Sequence, residues 1–551
     1  MYFVKIDDTN KINFAKDLSF SLGVYIILFL LKNPLWETVD DLGIIFGYLG
    51  KVYYPEPTDY LIFSSSLYGR LLISLNTICP IIPWHSFILT ISIIFSFASV
   101  VYLTREYYSS IFRFLFLTFF VIGFLSDIVW QYQFTKISFF SGFIGLFLLF
   151  HKRPLYLISF FLLSFSFLIR TSSFQLACIL FAPYFLLFLC RNINKKQIIR
   201  ISISIVFFLL VVMSSSIYNR LQGYKYFQDL NYKRAQLTEY GYLDQFTKHE
   251  RVKILNSVGW SNLDFILLRS WFYLDENKFS SEKIDLVLSE ISKTESPLTI
   301  SEILVMNNAK VKKLLNKYFT KYTNLQMCSI LLLLLISMLY SSKLLGLKYL
   351  IIVSFGIIIF FFVTVFYKPP PLHVINSFYL YFISIFIYFK PKSQIKQQYK
   401  IILISISLIV IGYFILATKD RLDLNEEALK ELKYLEENYN EHLLLRWGVP
   451  SVFKNFSVFE NYSEINFNNI FALGPSIHSP SKFKYYNRFD ISNIELDLVK
   501  KDSVSFMVPN HRKKYLSYFV RKVNNDYNLE IEPKLIDDRD YYKIYNFSYK
   551  H

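Results

Sequence analysis

Long apolar runs recur along this sequence, among them "SFILTISIIFSFASVVYL" at 86 to 103, "ISISIVFFLLVVMSSSIY" at 201 to 218 and "YLIIVSFGIIIFFFVTVF" at 349 to 366. Each is long enough, and free enough of charge, to cross a bilayer as a helix, which satisfies its own backbone hydrogen bonds without water. A soluble core can hide one such run but not a succession of them. With 53% hydrophobic, 19% aromatic and 18% charged residues and a mean hydropathy of +0.34, the chain as a whole is also too apolar for an ordinary soluble protein. Spans are expected near residues 16–34, 85–103, 111–129, 135–150, 154–170, 174–190, 199–217, 325–341, 348–366, 373–389 and 400–417, or about eleven helices by the length rule. The stretch from 140 to 189 is nearly continuous, and only "HKRP" and "RTSS" mark its turns.

Lys and Arg sort the loops into two sets, as they should if the count is right. One set holds Arg105 and Arg113; Lys152 and Arg153; Arg191, Lys195, Lys196 and Arg200; Lys343 and Lys348; and Lys390, Lys392, Lys396 and Lys400. The alternate short loops offer Lys136, Arg170 and Lys368. The first set is therefore expected in the cytoplasm together with the N-terminus, and the long segments 35–84, 218–324 and 418–551 outside. The formal charge of +17 thus belongs to membrane-flanking loops and does not call for a nucleic-acid partner. Cys79, Cys178, Cys190 and Cys328 show neither metal-ligand spacing nor a disulfide framework. No small-residue cleavage site follows the first apolar run, which reads as an uncleaved first helix.

The first outer segment reads as two amphipathic helices, "DDLGIIFGYLGKVYY" and "YLIFSSSLYGRLLISLNTI", separated by a "PEPTD" turn and expected to skim the membrane surface. The second is polar and helical; "SSEKIDLVLSEISK" opens on the caps Ser280 and Ser281, and "LTISEILVMNNAKVKKLLNKYF" follows. The C-terminal segment begins with the charged helix "LNEEALKELKYLEENYN". Strand-like runs "HLLLRWG", "NIFALGP" and "SVSFMVP", a basic helix "HRKKYLSYFVRKVNN" and the closing pair "YNLEIEPKLI" and "YYKIYNF" come after it. The expected organisation is an α-helical polytopic membrane domain over 1–417 and a small extracytoplasmic α/β domain over 418–551.

Two carboxylates, Asp40 and Asp41, stand at the outer end of the first span. An Asp there can cap the following helix and complement its dipole, which requires only one of the two. Alternatively a carboxylate can take a proton from an attacking hydroxyl or hold a divalent cation. The acidic pair in the first outer loop, the following loop helix, the short cytoplasmic turns and the outer C-terminal domain resemble the GT-C superfamily of membrane glycosyltransferases. "VDDLGIIFGYLG…PEPTDYLIFSSSLYGRLL", "PIIPWHSFIL" and "SVGWSNLDFILLRSWFYLDENKFS" are similar, more narrowly, to a set of bacterial polytopic proteins with the same first-loop plan.

That resemblance implies a bacterial inner-membrane enzyme that moves a sugar, with inversion, from a polyprenyl-phosphate donor to a cell-surface glycan or lipid on the outer face. It implies Asp40 or Asp41 as base or as ligand of a divalent metal such as Mg or Mn, and cations at the leaving phosphate. Arg70, Lys136, Arg170 and Lys368 are candidates for the phosphate because outer basic residues are scarce, although snorkelling to lipid headgroups accounts for such residues equally well. Secondary candidates are Asp127 at the outer end of the third span, Asp264 in "GWSNLDF" and His373 after "KPPPL". Two other functions fit the same pathway: a polysaccharide polymerase or ligase, and a carrier of lipid-linked precursors that does no chemistry.

Overall fold

The computed structural model describes residues 8–105, 110–151, 155–189, 195–239, 242–294, 347–366, 371–388 and 422–550, apart from positions 276, 451, 475, 476 and 478. Among them, five helices are long and apolar enough to cross a membrane: Asn13–Leu31, Trp84–Arg105, Arg113–Trp130, Thr171–Leu189 and Gln197–Leu221. Shorter apolar helices cover Phe134–Leu149, Tyr156–Ile169, Ile351–Val363 and His373–Ile387. These coincide with the expected spans, except that 325–341 and 400–417 lie outside the described residues. The protein is an α-helical polytopic membrane protein with a small sheet towards its C-terminus. It divides into two compact units, one drawn from 1–37, 85–215 and 309–422, the other from 38–84, 216–308 and 423–551.

In the first unit, small residues let helices approach closely where hydrocarbon offers no hydrophobic drive. A Cβ on Gly142 would lie 2.4 Å from Ser166 Oγ. Ser138 and Ser166 each donate to the other's carbonyl, at 2.8 and 2.7 Å, and Ser159 donates to Gly145 at 2.8 Å. The helix that starts at Ser110 passes through a π-helical turn, Val121–Leu125, before ending as Ser126–Trp130. Two short strands, β1 (Leu35–Trp36) and β2 (Gln131–Tyr132), pair in parallel.

The second unit is built on a five-stranded sheet: β3 (Leu443–Arg446), β4 (Ile470–Ala472), β5 (Val504–Pro509), β6 (Ile531–Asp538) and β7 (Tyr542–Tyr549), in the order β4-β3-β5-β7-β6. β4, β3 and β5 are parallel, with Leu444 opposite Ile470 and Leu445 opposite Phe506, while β7 runs antiparallel to β5 and β6 to β7. The three parallel strands are buried throughout, as uninterrupted apolar runs such as "LLL" and "VSFMV" require. From β3 the chain goes to β4 on one side and then crosses to β5 on the other, so the connections reverse direction at β3.

Residues of the polar second outer segment cover this sheet. Trp260, Phe272 and Tyr273 share a core with Leu445, Trp447, Phe506, Phe519 and Phe547. Ser280 caps the helix Ser281–Lys293, as its sequence suggests, by accepting from Lys283 N. The segment "LTISEILVMNNAKVKKLLNKYF" lies outside the described residues.

The first outer loop corrects one expectation. Its first helix, Val39–Leu49, does not skim a membrane with its apolar face: Leu42, Ile44, Ile45, Phe46 and Tyr48 are all buried inside the second unit, with the Phe46 ring 5.5 Å from Tyr462 and 6.3 Å from Phe456. An apolar stripe is equally suited to lipid and to a protein core, and here the C-terminal segment supplies the core. Just beyond, Val52 exchanges backbone hydrogen bonds with Phe467 and Ile470, which covers the β4 edge. The second loop helix starts at Ser66 and not at Tyr60, because Ser65 caps it by accepting from Leu67 N.

Candidate active site

In open α/β sheets, ligands bind beyond the carboxyl ends of the strands where the connections reverse. The second unit has a cavity of about 340 Å³ at that place. Its lining comes from just past β3 (Gly448, Val449), β4 (Gly474) and β5 (His511, Arg512), with Arg446 from the last position of β3. The start of the helix Val39–Leu49 contributes Asp40, Gly43 and Ile44; the loop after it adds Tyr53, Tyr54 and Phe63; and Trp271 and Lys454 complete the wall.

Arg446 ends an otherwise apolar strand, so its guanidinium emerges from the sheet where the chain turns at Gly448. It is only 8% exposed, and its Nε and Nη1 have no hydrogen-bond partner among the described residues. Its guanidinium carbon lies 4.0 Å from the centre of the Tyr53 ring, a stacking that fixes its plane. Buried N–H groups of a charged fork left without acceptors are costly, and an oxyanion would satisfy them. Arg512 lines the same cavity, donating from Nη1 to the Ser270 carbonyl at 2.6 Å. Gly448 is required between them: its φ of +89° is unfavourable for other residues, and a Cβ there would sit 3.0 Å from Arg512 Nε. Burial and the charges of Arg512 and Lys454 hold the His511 imidazole below its usual range, so it is neutral at neutral pH. Burial raises the Tyr53 phenol and pushes Tyr54 up to about 12, keeping both as donors.

The acidic pair divides. The helix begins at Val39, so both acids lie in its first turn, where negative charge complements the dipole and where the Thr38 side chain makes no cap bond. Asp41 is 0% exposed and packs near the equally buried Tyr68, whereas half-buried Asp40 faces the cavity. As a metal site this cavity fits poorly: Asp40 is its one lining carboxylate among the described residues, and Arg446, Arg512 and Lys454 already bring positive charge. Elsewhere in the unit Asp275, Glu495 and Asp526 converge, but the Lys522 ammonium occupies their centre at 3.1, 2.8 and 2.8 Å.

The other expected site residues fall elsewhere. Arg70 lines a second cavity of the same unit, of about 270 Å³, with Asp59, Tyr224 and Lys484. There Asp59 accepts from the Tyr218 and Tyr224 hydroxyls. Asp264 is buried as the N3 partner of Ser261 in a capping box and pairs with Lys278 at 3.2 Å. In the membrane unit, the β1–β2 pair brings Glu37 to Lys136, whose Nζ lies 2.6 Å from both Glu37 and Asp127. Asn376 donates to Asp127 at 2.7 Å, and Lys136 is 3% exposed. Burial raises the Glu37 carboxyl against the pull of Lys136. Arg170 donates to Ser172 and lies over the Phe134 ring, and His373 opens the apolar helix His373–Ile387. Lys368 lies outside the described residues. Arg446, Lys454, His511 and Arg512 were not singled out from the sequence; the available signal was an Arg closing an apolar run ahead of "WG".

No protein-family model matches the chain, and no curated protein matches it. Among solved structures it is similar to the crystal structure of ArnT from Cupriavidus metallidurans bound to undecaprenyl phosphate. That likeness has a TM-score of 0.40 and 8% sequence identity, and covers 96% of this chain and 97% of that one.

Proposed function

We propose that the protein is an inner-membrane glycosyltransferase that moves a sugar from a polyprenyl-phosphate donor to a glycan or lipid acceptor on the outer face, with its N-terminus in the cytoplasm and the sheet-bearing unit outside. The observation that carries this reading is one cavity lined by both the Asp40 carboxylate and the partnerless N–H groups of Arg446. Transfer from a phosphate donor needs those two groups: a base for the incoming hydroxyl and a cation for the departing phosphate.

In the proposed reaction the acceptor oxygen attacks the anomeric carbon on the face opposite the phosphate. The bond from that carbon to the phosphate oxygen breaks as the new one forms, its electron pair leaves on the phosphate, and configuration inverts. Asp40 takes the hydroxyl proton. Arg446 and Arg512 meet the charge that develops on the polyprenyl phosphate, and Lys454 adds to the local positive field. Asp41 supports the helix that aims Asp40. Lys136, already held by two carboxylates, is part of the scaffold in this scheme. No divalent cation enters it, so chelation by EDTA leaves the rate unchanged.

Purified protein in lipid nanodiscs, supplied with polyprenyl-phosphate sugars labelled in the sugar and with a surface-glycan acceptor, tests the reading. Transfer of label with release of polyprenyl phosphate is expected. Binding or movement of the donor without any bond change would favour the carrier instead.

A further inference from the structure

The helix Asn262–Arg269 ends at Ser270, and the next residue, Trp271, adopts φ +66°, a left-handed conformation that helices normally end with glycine. A bulky aromatic held there signals a constraint imposed by something other than local preference. Its surroundings hold the ring in place. The Arg234 guanidinium carbon lies 5.2 Å from the ring centre, and Arg234 is itself fixed by Asn231, Thr238, Glu239 and Tyr273. Gly474 lies on another side, where a Cβ would come within 3.2 Å of the ring. The preceding Ser270 carbonyl accepts from both Trp447 Nε1 and Arg512 Nη1. Trp271 nevertheless stays half-buried and lines the cavity with Asp40 and Arg446.

We infer that Trp271 is the platform on which the ring of the transferred sugar stacks, its C–H groups against the indole, while the neighbouring arginines hold the phosphate. This inference rests on the transferase reading above. The cavity has room for a sugar ring and its phosphate, and the ring nearest the Asp40 base is the one whose anomeric carbon reacts. Because Arg512 grips the carbonyl just before Trp271, one side chain sets both the phosphate site and the platform. Arg234 acts as a positioning residue, since it touches the indole and is argued to reach the sugar only through it, while Gly474 both abuts the indole and lines the cavity.

Equilibrium binding to the full chain in nanodiscs separates this inference from catalysis, with bare polyprenyl phosphate and a panel of polyprenyl-phosphate hexoses and aminosugars as probes. Wild type should prefer at least one glycosylated probe over the bare lipid. Trp271→Leu should erase that preference and raise the Kd for the glycosylated probe about tenfold while leaving affinity for the bare lipid within about twofold; Trp271→Phe should keep most of it. Equal weakening for bare and glycosylated lipid would mean that the ring meets phosphate or isoprenoid, and would overturn the inference. An unchanged donor preference would do the same. Should Trp271→Leu not fold, Gly474→Ala carries the test, because it crowds the indole without removing it: reduced sugar preference is expected, and unaltered preference overturns the inference. Turnover is not needed for any of these readings, so failure of transfer by wild type would count against the transferase proposal alone.

Discussion

Lys522 and Arg446 are both buried cations of the sheet-bearing unit, 1% and 8% exposed, yet their surroundings are opposite. Lys522 is enclosed by Asp275, Glu495 and Asp526, with Lys278 and Tyr527 extending the network. Arg446 has an aromatic ring beneath it and two N–H groups without acceptors. The first is a finished structural knot, much like Lys136 with Glu37 and Asp127 in the membrane unit. The second is the group to which the proposed reaction assigns the departing phosphate. Burial of a charge therefore does not mark a site by itself; the informative feature is which of its hydrogen bonds remain to be made.

Substitutions can break or sharpen this contrast. Removing Lys522 leaves the buried Glu495 carboxylate without its cation and facing those of Asp275 and Asp526, so Lys522→Ala should cost about 3–5 kcal/mol of stability, read by chemical denaturation of the purified protein. Arg446→Gln should leave stability close to wild type, because its Nε and Nη1 have no hydrogen-bond partner among the described residues and only the stacking on Tyr53 is lost. It should weaken binding of polyprenyl phosphate by about 1.5–3 kcal/mol, the range for charge-assisted bonds, measured by calorimetry. If Arg446→Gln unfolds the protein while Lys522→Ala is harmless, the contrast is wrong. Gly448→Ala forces a left-handed conformation on alanine and presses on Arg512, a strain of about 1–3 kcal/mol that should appear as a lower Tm and a higher donor KM.

The smallest effect concerns pH. Since burial and neighbouring cations depress the His511 pKa, the imidazole gains its proton only below the usual histidine range. Affinity for the glycosylated donor, whose phosphodiester keeps a single charge, should then be flat around neutral pH and rise slightly once the solution is acid enough to protonate His511, on the order of a few-fold. His511→Ala should remove that acid rise and leave the neutral-pH affinity unchanged.

Much of the fold could be read from the sequence because its signals are local. Apolar runs such as 86–103 exceed what any strand needs, and "LLLRWG" and "SVSFMVP" are the uninterrupted kind that parallel strands carry. The helix Val39–Leu49 misled, since its stripe faces protein, and the residues that cover it, Phe456 and Tyr462, lie some four hundred positions away in the chain. The site was half legible. Asp40 and Asp41 drew notice as a pair, but only three-dimensional packing buries Asp41 and turns Asp40 to the cavity. The arginines escaped because outer basic residues were sought in short membrane loops, whereas Arg446 and Arg512 become neighbours only when β3 and β5 pair.

The central claim is that Asp40 performs the chemistry and Asp41 the architecture. Its most direct test is the rate of labelled-sugar transfer by Asp40→Asn and Asp41→Asn in nanodiscs, with the Tm of each recorded alongside. Asp40→Asn should fold normally and lose about 10²–10⁴ in rate, as expected for a lost general base. Asp41→Asn should lower the Tm and leave the rate per folded molecule near that of wild type. Full activity in Asp40→Asn, or a folded but inactive Asp41→Asn, would contradict the claim.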